Sequence, residues 1–333
     1  MQDILTCAMG LDIHRDVIVA CLAKGELGTD PEIEIRSFST LIPEMRKLRD
    51  WVLEAECRYV AMESTGIYWQ PIYEMLEPCF DGQISILVVN ARHMKNVPGR
   101  KTDMRDAQWI ATLLRAGLLK GSFIPDKTFR ELRHLTRYRK SIVRDITAQK
   151  NRIDKFLQSS GFRFTAFLSD AFGASGRNII RHLMEYGNIS REALDRCLKT
   201  QTRKRIDEIL IALNGSLSEH QRGFLRMIFG HLEALEQHRH TVEDAITKEI
   251  TKHEEALSLL CSIPGIDVTA AAAIIAEIGT DMSAFPDSQH ICSWAGLSPG
   301  NNESAGKRKS AHINKGNPYL KSMLCEVGWV INS

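Results

Sequence analysis

The sequence lacks the features that mark membrane, secreted and zinc-stabilised proteins. It has no apolar run approaching the roughly 20 residues of a membrane-spanning helix. Its start, MQDILTCAMGLDIH, has neither a basic region nor a cleavage signature, so we expect no signal peptide. Its eight cysteines are scattered without a CxxC pair, which argues against a structural zinc site and a disulfide framework. We therefore expect a protein of the reducing cytoplasm with no membrane partner.

Acidic residues are scarce in one stretch of a chain whose total charge is nearly balanced. The formal net charge is only +2. Between Arg92 and Arg163, however, 18 lysines and arginines stand against six aspartates and glutamates, while the rest of the chain carries 25 against 35. Such a split is typical of nucleic-acid-binding proteins, although a single basic run can also be a solvated helical face.

The first third of the chain has the periodicity of a mixed α/β sheet. Short apolar or alternating runs predict strands, and the segment 44–56 and a second segment around Ile72 have helical spacing. The order βββαβαβ followed by a further helix is the order seen in RNase H-like folds. We assign this domain to residues 1–125. The predicted strands are 5–12, 16–23, 32–38, 58–63 and 84–89.

The middle of the chain predicts a long helical coiled-coil arm over residues 126–256. Helical periodicity runs from 128 to about 160 and again from about 219 to 256, and the two helices could pack antiparallel. Arg139 and Gln149 interrupt the apolar seam of the first helix. The glycine-containing stretch 160–200 predicts a looser connection. The seam residues are Leu132, Leu135, Ile142, Ile146, Ile153 and Phe156.

Residues 257–333 predict a mostly helical C-terminal domain. LCSIPGI followed by the alanine-rich run 270–276 is typical of a helix-hairpin-helix-like element. In such an element Gly265 permits the tight turn, and the next helix offers N–H groups to a phosphate. The alternative is an ordinary helical hairpin with no ligand, because a Pro-Gly signal is short and common.

Four carboxylates are placed to converge at one edge of the predicted sheet. Asp12 ends the first predicted strand and Glu63 ends the fourth, and these strands can be neighbours. Asp103 and Asp106 are three residues apart, so they share a face if a helix starts near Thr102. Either aspartate alone could instead complement a helix N-terminus. Four acids at one edge repel one another unless a cation is bound, so the set predicts a metal site.

Carboxylate oxygens prefer hard cations, so we expect Mg²⁺ (or Mn²⁺) at these acids. Two cations about 4 Å apart would activate a nucleophile and stabilise a leaving oxygen of a phosphodiester. The segment directly before Asp103 is basic, since Lys95, Arg100 and Lys101 flank Pro98-Gly99. Such a turn would hold a nucleic-acid backbone beside the metals.

Several motifs resemble those of one family. They are GLDIH, MESTG, NVPGRKTDMRDAQWIATLLRAGLL, LRHLTRYR and SIPGIDVTAAAAIIAEIG. Together they resemble the DEDD transposases of bacterial insertion sequences, the insertion-sequence one-ten family, whose relatives include pilin-gene invertases. The resemblance runs from about residue 8 to 325 and is most specific over 90–121. It implies an RNase H-like, Holliday-junction-resolvase-like N-terminal domain whose catalytic, metal-binding tetrad is Asp12, Glu63, Asp103 and Asp106.

The same resemblance implies a serine nucleophile in the C-terminal transposase domain. In the family the serine follows a glutamate, which places it at Ser304. The residues alone favour a flexible phosphate-binding loop, in which Ser298 and Ser310 are equally good candidates. The basic residues of this loop that would contact nucleic acid are Lys307, Arg308 and Lys309.

The partners also follow from the resemblance. The family acts on donor and target DNA, is guided by a structured non-coding bridge RNA, and assembles as a homodimer or homotetramer, so a nucleoid-associated bacterial protein is expected. The basic stretch 127–163 is the candidate surface for these backbones, although each charge alone could be a solvated helix charge. Tyr138 is a candidate for stacking. The candidate contacts are Arg130, Arg133, Arg137, Arg139, Lys140 and Arg144.

The expected function is therefore an insertion-sequence transposase that cleaves and exchanges DNA strands through Ser304, with Mg²⁺ and an RNA guide. One alternative is a metal-dependent resolvase-type nuclease or DNA invertase without an RNA guide. Another is an inactive, C-terminally truncated nucleic-acid-binding remnant, because the chain stops at Ser333 whereas family members continue. The last predicted helix, 318–332, would expose apolar residues unless they are covered. These are Leu320, Leu324, Val327 and Val330.

Overall fold

The computed structural model describes residues 3–63, 66–90, 106–299, 302–304, 307–310, 312–313 and 315–331, with the backbone alone at 80–81, 302–304 and 307–310. The chain divides into two compact units, Met1–Ile124 and Pro125–Ser333. Within the described ranges, none of the helices is both long enough and apolar enough to cross a lipid bilayer.

The first unit is built on a five-stranded mixed sheet. In space the strand order is β3-β2-β1-β4-β5. The first three strands pair antiparallel, and β4 and β5 continue the sheet in parallel from the other side of β1. The predicted α/β class is confirmed, and each strand lies within two residues of its predicted bounds. The strands are β1 (Cys7–Ile13), β2 (Val17–Lys24), β3 (Glu32–Ser39), β4 (Tyr59–Glu63) and β5 (Ser85–Val89).

Helices cover both faces of this sheet. Helices α1 (Ile42–Glu54) and α2 (Gln70–Leu76) bury their apolar sides against one face, together with Met9 and Leu11 of β1. Helix α3 (Asp106–Arg115) packs on the other face, against small side chains such as Ala8. Successive residues of a strand point to opposite faces, so even-numbered positions of β1 face α3.

The second unit is organised around a pair of long antiparallel helices, α4 (Lys127–Ser159) and α9 (Glu219–Ile250). Polar residues that interrupt the predicted seam of α4 bond across this pair. The Gln149 side chain donates to the Ile228 carbonyl oxygen at 2.6 Å, and Arg139 donates to Glu243 at 2.8 Å. The partner positions decrease as the α4 positions increase, which gives the antiparallel direction.

The prediction of a looser connection over 160–200 is wrong. This part of the unit is largely helical, because buried apolar side chains such as Ile179 and Leu194 anchor it to the α4–α9 core. Gly176 is required by packing, since a Cβ atom there would lie 1.9 Å from the Ala171 carbonyl oxygen, and Gly187 ends α5 with a φ of 82°. The helices are α5 (Ala174–Tyr186), α6 (Arg191–Cys197), α7 (Thr200–Arg203) and α8 (Ile206–Ala212).

The last part of the second unit shares the core of the long helices. Ala272, Ile275 and Ala276 of α11 lie in the same apolar cluster as α4 and α9. The predicted domain boundary between 256 and 257 therefore separates segments that are packed together. The elements here are α10 (Glu254–Cys261), α11 (Val268–Ile278), α12 (Ser288–Ala295), β6 (Asn302–Ser304), β7 (Lys307–Ser310) and α13 (Pro318–Ile331).

The turn between α10 and α11 has the geometry of a capped helical hairpin. The Asp267 carboxylate accepts a hydrogen bond from the Ala270 N–H at 2.7 Å, so an acidic side chain occupies the helix N-terminus that a phosphate would need. Gly265 has a φ of 84°, and a Cβ atom there would meet Val330 at 3.2 Å. These contacts favour the ordinary hairpin over the phosphate-binding element.

Helix α13 is partly covered. Leu320 and Val327 are buried, because neighbouring helices supply the cover without which they were expected to be exposed. Val330 is 60% exposed, as expected, and Leu324 is half-buried. The covering comes from α11 and α12, which pack against α13.

Candidate functional site

Two of the predicted acids lie on neighbouring parallel strands. Leu11 of β1 is in register with Met62 of β4, so Asp12 and Glu63 are the next residues along each strand. Parallel strands present their carboxyl ends at one sheet edge, which brings the two carboxylates there together. Both side chains are half-buried.

The third acid reaches this edge because helix α3 lies unusually close to β1. A Cβ atom at Gly10 would lie 2.2 Å from the Ala107 carbonyl oxygen and 2.4 Å from the Ala111 nitrogen. Only glycine permits this approach. Asp106 directly precedes Ala107 on the helix, and Asp12 follows Gly10 by two residues on the same face of the strand.

The electrostatics of Asp12 show that the three acids interact. Burial raises the pKa of Asp12 above its usual value, and the charges of Asp106 and Glu63 raise that pKa further. His14 acts in the opposite direction, since its Nε2 atom lies 3.2 Å from an Asp12 carboxylate oxygen. The edge therefore holds negative charge that a cation would neutralise.

The donor set fits a hard divalent cation, since it offers carboxylate oxygens of mutually repelling groups. In the described ranges, however, no group of three or more His, Cys, Asp or Glu residues has metal-binding geometry. The fourth predicted acid, Asp103, lies outside the described residues, as do the predicted nucleic-acid contacts Lys95, Arg100 and Lys101.

A buried arginine fixes the far end of helix α3. Arg115 is 1% exposed. Its guanidinium donates to the carbonyl oxygens of Leu5 (2.9 Å) and Glu26 (2.8 Å), with longer bonds to Gly25 and Thr29. It also forms an ion pair with Asp3 at 3.1 Å. These bonds tie α3 to the segment before β1 and to the β2–β3 connection, so Arg115 positions the helix that carries Asp106.

The predicted serine lies on a short hairpin of the second unit. Ser304 on β6 is in register with Lys307 on β7, and Arg308 and Lys309 lie on the same strand. The segment that contains this hairpin is closed at its base. A Cβ atom at Gly316 would lie 2.1 Å from the Gly296 nitrogen, and the Asn317 N–H donates to the Trp294 carbonyl oxygen at 2.8 Å.

The predicted nucleic-acid contacts on α4 divide into two groups. Arg130, Arg133, Arg137 and Arg139 have internal partners. Arg130 donates to the Pro125 carbonyl oxygen at 3.0 Å, and Arg139 bonds to Glu243 of α9. Lys140 and Arg144, by contrast, form no hydrogen bond or ion pair within the described part of the chain. These two cations are the contacts that the structure leaves available for a ligand.

A buried carboxylate organises the first group. Glu277 of α11 is 3% exposed and accepts two hydrogen bonds of 2.8 Å from Arg137. It also pairs with Arg133 at 3.2 Å and accepts from the Asn317 side chain. Burial lowers the pKa of Arg133 to about 10. Glu277 therefore joins α4, α11 and the base of the serine hairpin.

Sequence patterns give little indication of the residues that position these sites. A lone histidine such as His14 carries no recognisable signal, and Gly10 lies inside an apolar run. Arg115 and Glu277 do carry a signal in the sequence, because each places a charge within an otherwise apolar helical pattern. A charge at such a position must be paired or hydrogen-bonded when it is buried.

Two family models match the chain. One, described as "Transposase" and named for the DEDD transposases of IS110, matches residues 9–161. The other, described as "Transposase IS116/IS110/IS902 family", matches residues 257–333. The two matches include the acids of the sheet edge and the serine hairpin.

Two curated proteins are similar to the chain. The provisionally named transposase y4qE of Sinorhizobium fredii (strain NBRC 101917 / NGR234) is 22% identical over 233 residues, which cover 69% of this chain and 47% of that protein. The insertion element IS110 uncharacterized 43.6 kDa protein of Streptomyces coelicolor is 28% identical over 245 residues, covering 67% of this chain and 59% of that protein. The chain thus spans about half the length of the curated relatives it matches.

Proposed function

Because the chain belongs to the IS110 family of transposases, we propose that it cleaves and exchanges DNA strands as an insertion-sequence transposase. The observation that carries this proposal is the convergence of Asp12, Glu63 and Asp106 at one sheet edge. The pKa of Asp12 is raised first by burial and then by the negative charges of Asp106 and Glu63, which supports a site where a cation would relieve repulsion between carboxylates. Such sites are built to bind cations that act on phosphodiesters.

We assign the first unit to the RNase H-like class. Three antiparallel strands followed by two parallel strands, with helices on both faces, support this assignment. The acids at the ends of β1 and β4 support it as well. The domain division at 125/126 and 256/257 remains part of the proposal.

Asp12, Glu63 and Asp106 would hold Mg²⁺ or Mn²⁺, with Asp103 as the fourth acid. A bound cation would supply electrostatic stabilisation of the phosphodiester oxygens. The chain's own contribution is to hold these carboxylates in place. Gly10 and Arg115 fix α3, and His14 holds Asp12 by its contact of 3.2 Å.

Ser304 is the proposed nucleophile. Its hydroxyl oxygen would attack a phosphorus atom of the DNA, forming a phosphoserine bond as a sugar oxygen leaves. The serine proton passes to solvent, and the leaving oxygen takes up a proton. Attack by a second strand's hydroxyl on the phosphoserine would reverse the step and join a new pair of ends. The neighbouring basic strand β7 supports this role, because cations there would hold the phosphate.

Donor and target DNA are the proposed substrates, with a structured non-coding RNA as guide and a homodimer or homotetramer as the active assembly. Lys140 and Arg144 support a nucleic-acid surface on α4, since neither forms a hydrogen bond or ion pair with the residues that the structure describes. The internally paired arginines, Arg130, Arg133, Arg137 and Arg139, would contribute to this surface mainly by shaping it.

Strand cleavage of an end-labelled DNA that carries the element's junction, with co-purified RNA and Mg²⁺, tests the proposal. Wild-type protein should form a covalent protein–DNA adduct that survives denaturation. Asp12→Asn and Ser304→Ala should each abolish the adduct, and Ser310→Ala should retain it as the matched control. An adduct formed by Ser304→Ala would refute the assignment of the nucleophile. Cleavage without any adduct would instead indicate a metal nuclease of the resolvase type.

Ribonuclease treatment of the purified complex before the assay tests the guide separately. Loss of cleavage, restored by adding back the bound RNA, is expected. Unchanged site-specific cleavage after complete RNA removal would indicate an invertase or nuclease without a guide.

A further inference from the structure

A cavity of about 400 Å³ opens between helices α4, α9, α11 and α13 of the second unit. Its walls are mixed. Val143, Ile246, Ala273 and Met323 form an apolar side, and Thr136, Thr269 and Ser322 add hydroxyl groups. Pockets that bind small ligands measure about 300–1,000 Å³ and combine apolar walls with a few polar groups. The cavity therefore has the size and chemistry of a ligand site.

More positively charged than negatively charged side chains line the cavity. Arg137 and Arg139 line it but are paired with Glu277 and Glu243. Lys140 and Arg144 also line it and form no hydrogen bond or ion pair with the described residues. The other lining carboxylate, Glu326, accepts a hydrogen bond from Ser322 at 3.0 Å. Two unpaired cations against one carboxylate favour an anionic ligand.

An aromatic ring forms part of the same wall. Arg137 lies over the Tyr319 ring at 4.4 Å from its centroid, and Lys140 lies 6.0 Å from it. Both cations are thereby held at the cavity by contacts with one ring. Lys140 needs no rearrangement to meet a phosphate, because its ammonium group is already placed at the cavity wall.

We propose that this cavity binds one nucleotide unit of a single-stranded nucleic acid, with its phosphate at Lys140 and Arg144 and its base against the apolar wall of Ala273 and Met323. A duplex cannot enter a cavity of this size, whereas an unstacked nucleotide can be splayed out and held by phosphate and base contacts. An inorganic phosphate would leave the apolar wall unused. The proposal rests on the proposed nucleic-acid function and adds one specific contact to it.

Anisotropy of a fluorescein-labelled oligouridine or oligothymidine hexamer, titrated with the whole chain, tests the site. Ala273→Leu fills the cavity without changing any charge, so hexamer affinity should fall about tenfold while its salt dependence stays the same. Lys140→Ala and Arg144→Ala should weaken binding and reduce the salt dependence. Lys155→Ala removes an exposed charge of α4 away from the cavity and should change affinity less than twofold.

Two competitors identify the source of the nucleotide. A nucleoside monophosphate that displaces the hexamer at millimolar concentration would show that the cavity accepts a free nucleotide as well as a strand. Inorganic phosphate that competes equally well would overturn the proposal, because the apolar wall would then contribute nothing. Equal weakening by Lys155→Ala and Arg144→Ala, with wild-type affinity in Ala273→Leu, would also overturn it in favour of diffuse surface charge.

Melting curves of every variant identify any that fail to fold. If Ala273→Leu does not fold, the variant Arg144→Ala at an exposed position still decides the test. Asp12→Asn separates this proposal from the proposed function, since it should abolish cleavage and leave hexamer affinity unchanged. Cavity-dependent binding in a protein that never cleaves DNA would refute the proposed function alone. Normal cleavage with cavity-independent binding would refute the nucleotide site alone.

Discussion

Gly10 of β1 lies so close to Ala107 of α3 that a Cβ atom at position 10 would be 2.2 Å from the Ala107 carbonyl oxygen. The absence of a side chain at Gly10 thus sets the distance between the strand that carries Asp12 and the helix that carries Asp106. The helix cannot keep its present position if any side chain is added there.

Gly10→Ala should therefore lift α3 from the sheet, destabilise the first unit by about 2 kcal/mol, and strongly reduce Mg²⁺-dependent cleavage. Urea unfolding and the cleavage assay measure the two effects. Gly230→Ala is the matched control, because nothing lies within 4 Å of its added Cβ atom and it is inside helix α9. That variant should be stabilised by about 0.5–1 kcal/mol. Equal effects of the two changes would contradict the packing argument.

Asp12→Asn should stabilise the metal-free protein at neutral pH. Because burial and the charges of Asp106 and Glu63 raise the folded-state pKa of Asp12, the folded protein binds this proton more readily than the unfolded chain. Wild type therefore loses stability as pH rises from the ordinary aspartate pKa through the raised folded value. We expect the variant to be more stable than wild type at pH 7, with the difference vanishing in acid.

Thermal melts in EDTA across pH 3–8 measure this effect. Asp16→Asn, at an exposed position of the same hairpin, is the control and should show no such dependence. Added Mg²⁺ should raise the melting temperature of wild type more than that of Asp12→Asn. A greater gain in the variant would argue against a cation at this edge.

Arg115→Lys should destabilise the first unit by about 2 kcal/mol, although it keeps the charge. A lysine ammonium cannot reproduce the planar set of donors that Arg115 presents to several carbonyl oxygens, and buried carbonyl groups that lose their donors are costly. Arg46→Lys, an exposed substitution on α1, should change stability by less than about 0.5 kcal/mol. Urea denaturation distinguishes the two, and similar losses would show that Arg115 acts by charge alone.

The sheet was predictable because its strands alternate or run apolar over lengths typical of strands, and because short turns punctuate them. The neighbouring placement of Asp12 and Glu63 followed from that order. The helical nature of 160–200 was not predictable, since its glycines serve close packing at Gly176 and helix termination at Gly187 rather than flexibility. Pairing across α4 and α9 through Gln149 and Arg139 was also hidden, because both look like interruptions of a seam until the partner helix is known.

For function, too, the sequence alone locates the basic stretch 127–163 but not the residues in it that can bind a ligand. Lysine and arginine counts locate the charged stretch, but they do not distinguish Arg137, which is held by a buried carboxylate, from Arg144, which is exposed. That distinction depends on Glu277, 140 residues further along the chain. Composition therefore identifies a nucleic-acid-binding stretch, and only the packing of α11 identifies which cations remain available.

Glu277→Gln should destabilise the second unit by about 3 kcal/mol, because it leaves the guanidinium of Arg133 buried without its counterion. Glu277 also accepts from Arg137 and Asn317, so the base of the serine hairpin should loosen and adduct formation at Ser304 should fall. Glu243→Gln breaks the partly exposed pair with Arg139 and should cost only about 0.5 kcal/mol. Chemical denaturation compares them. Equal losses would mean that the buried network contributes no more than a surface pair. Unchanged adduct formation in Glu277→Gln would mean that the serine hairpin does not depend on the network.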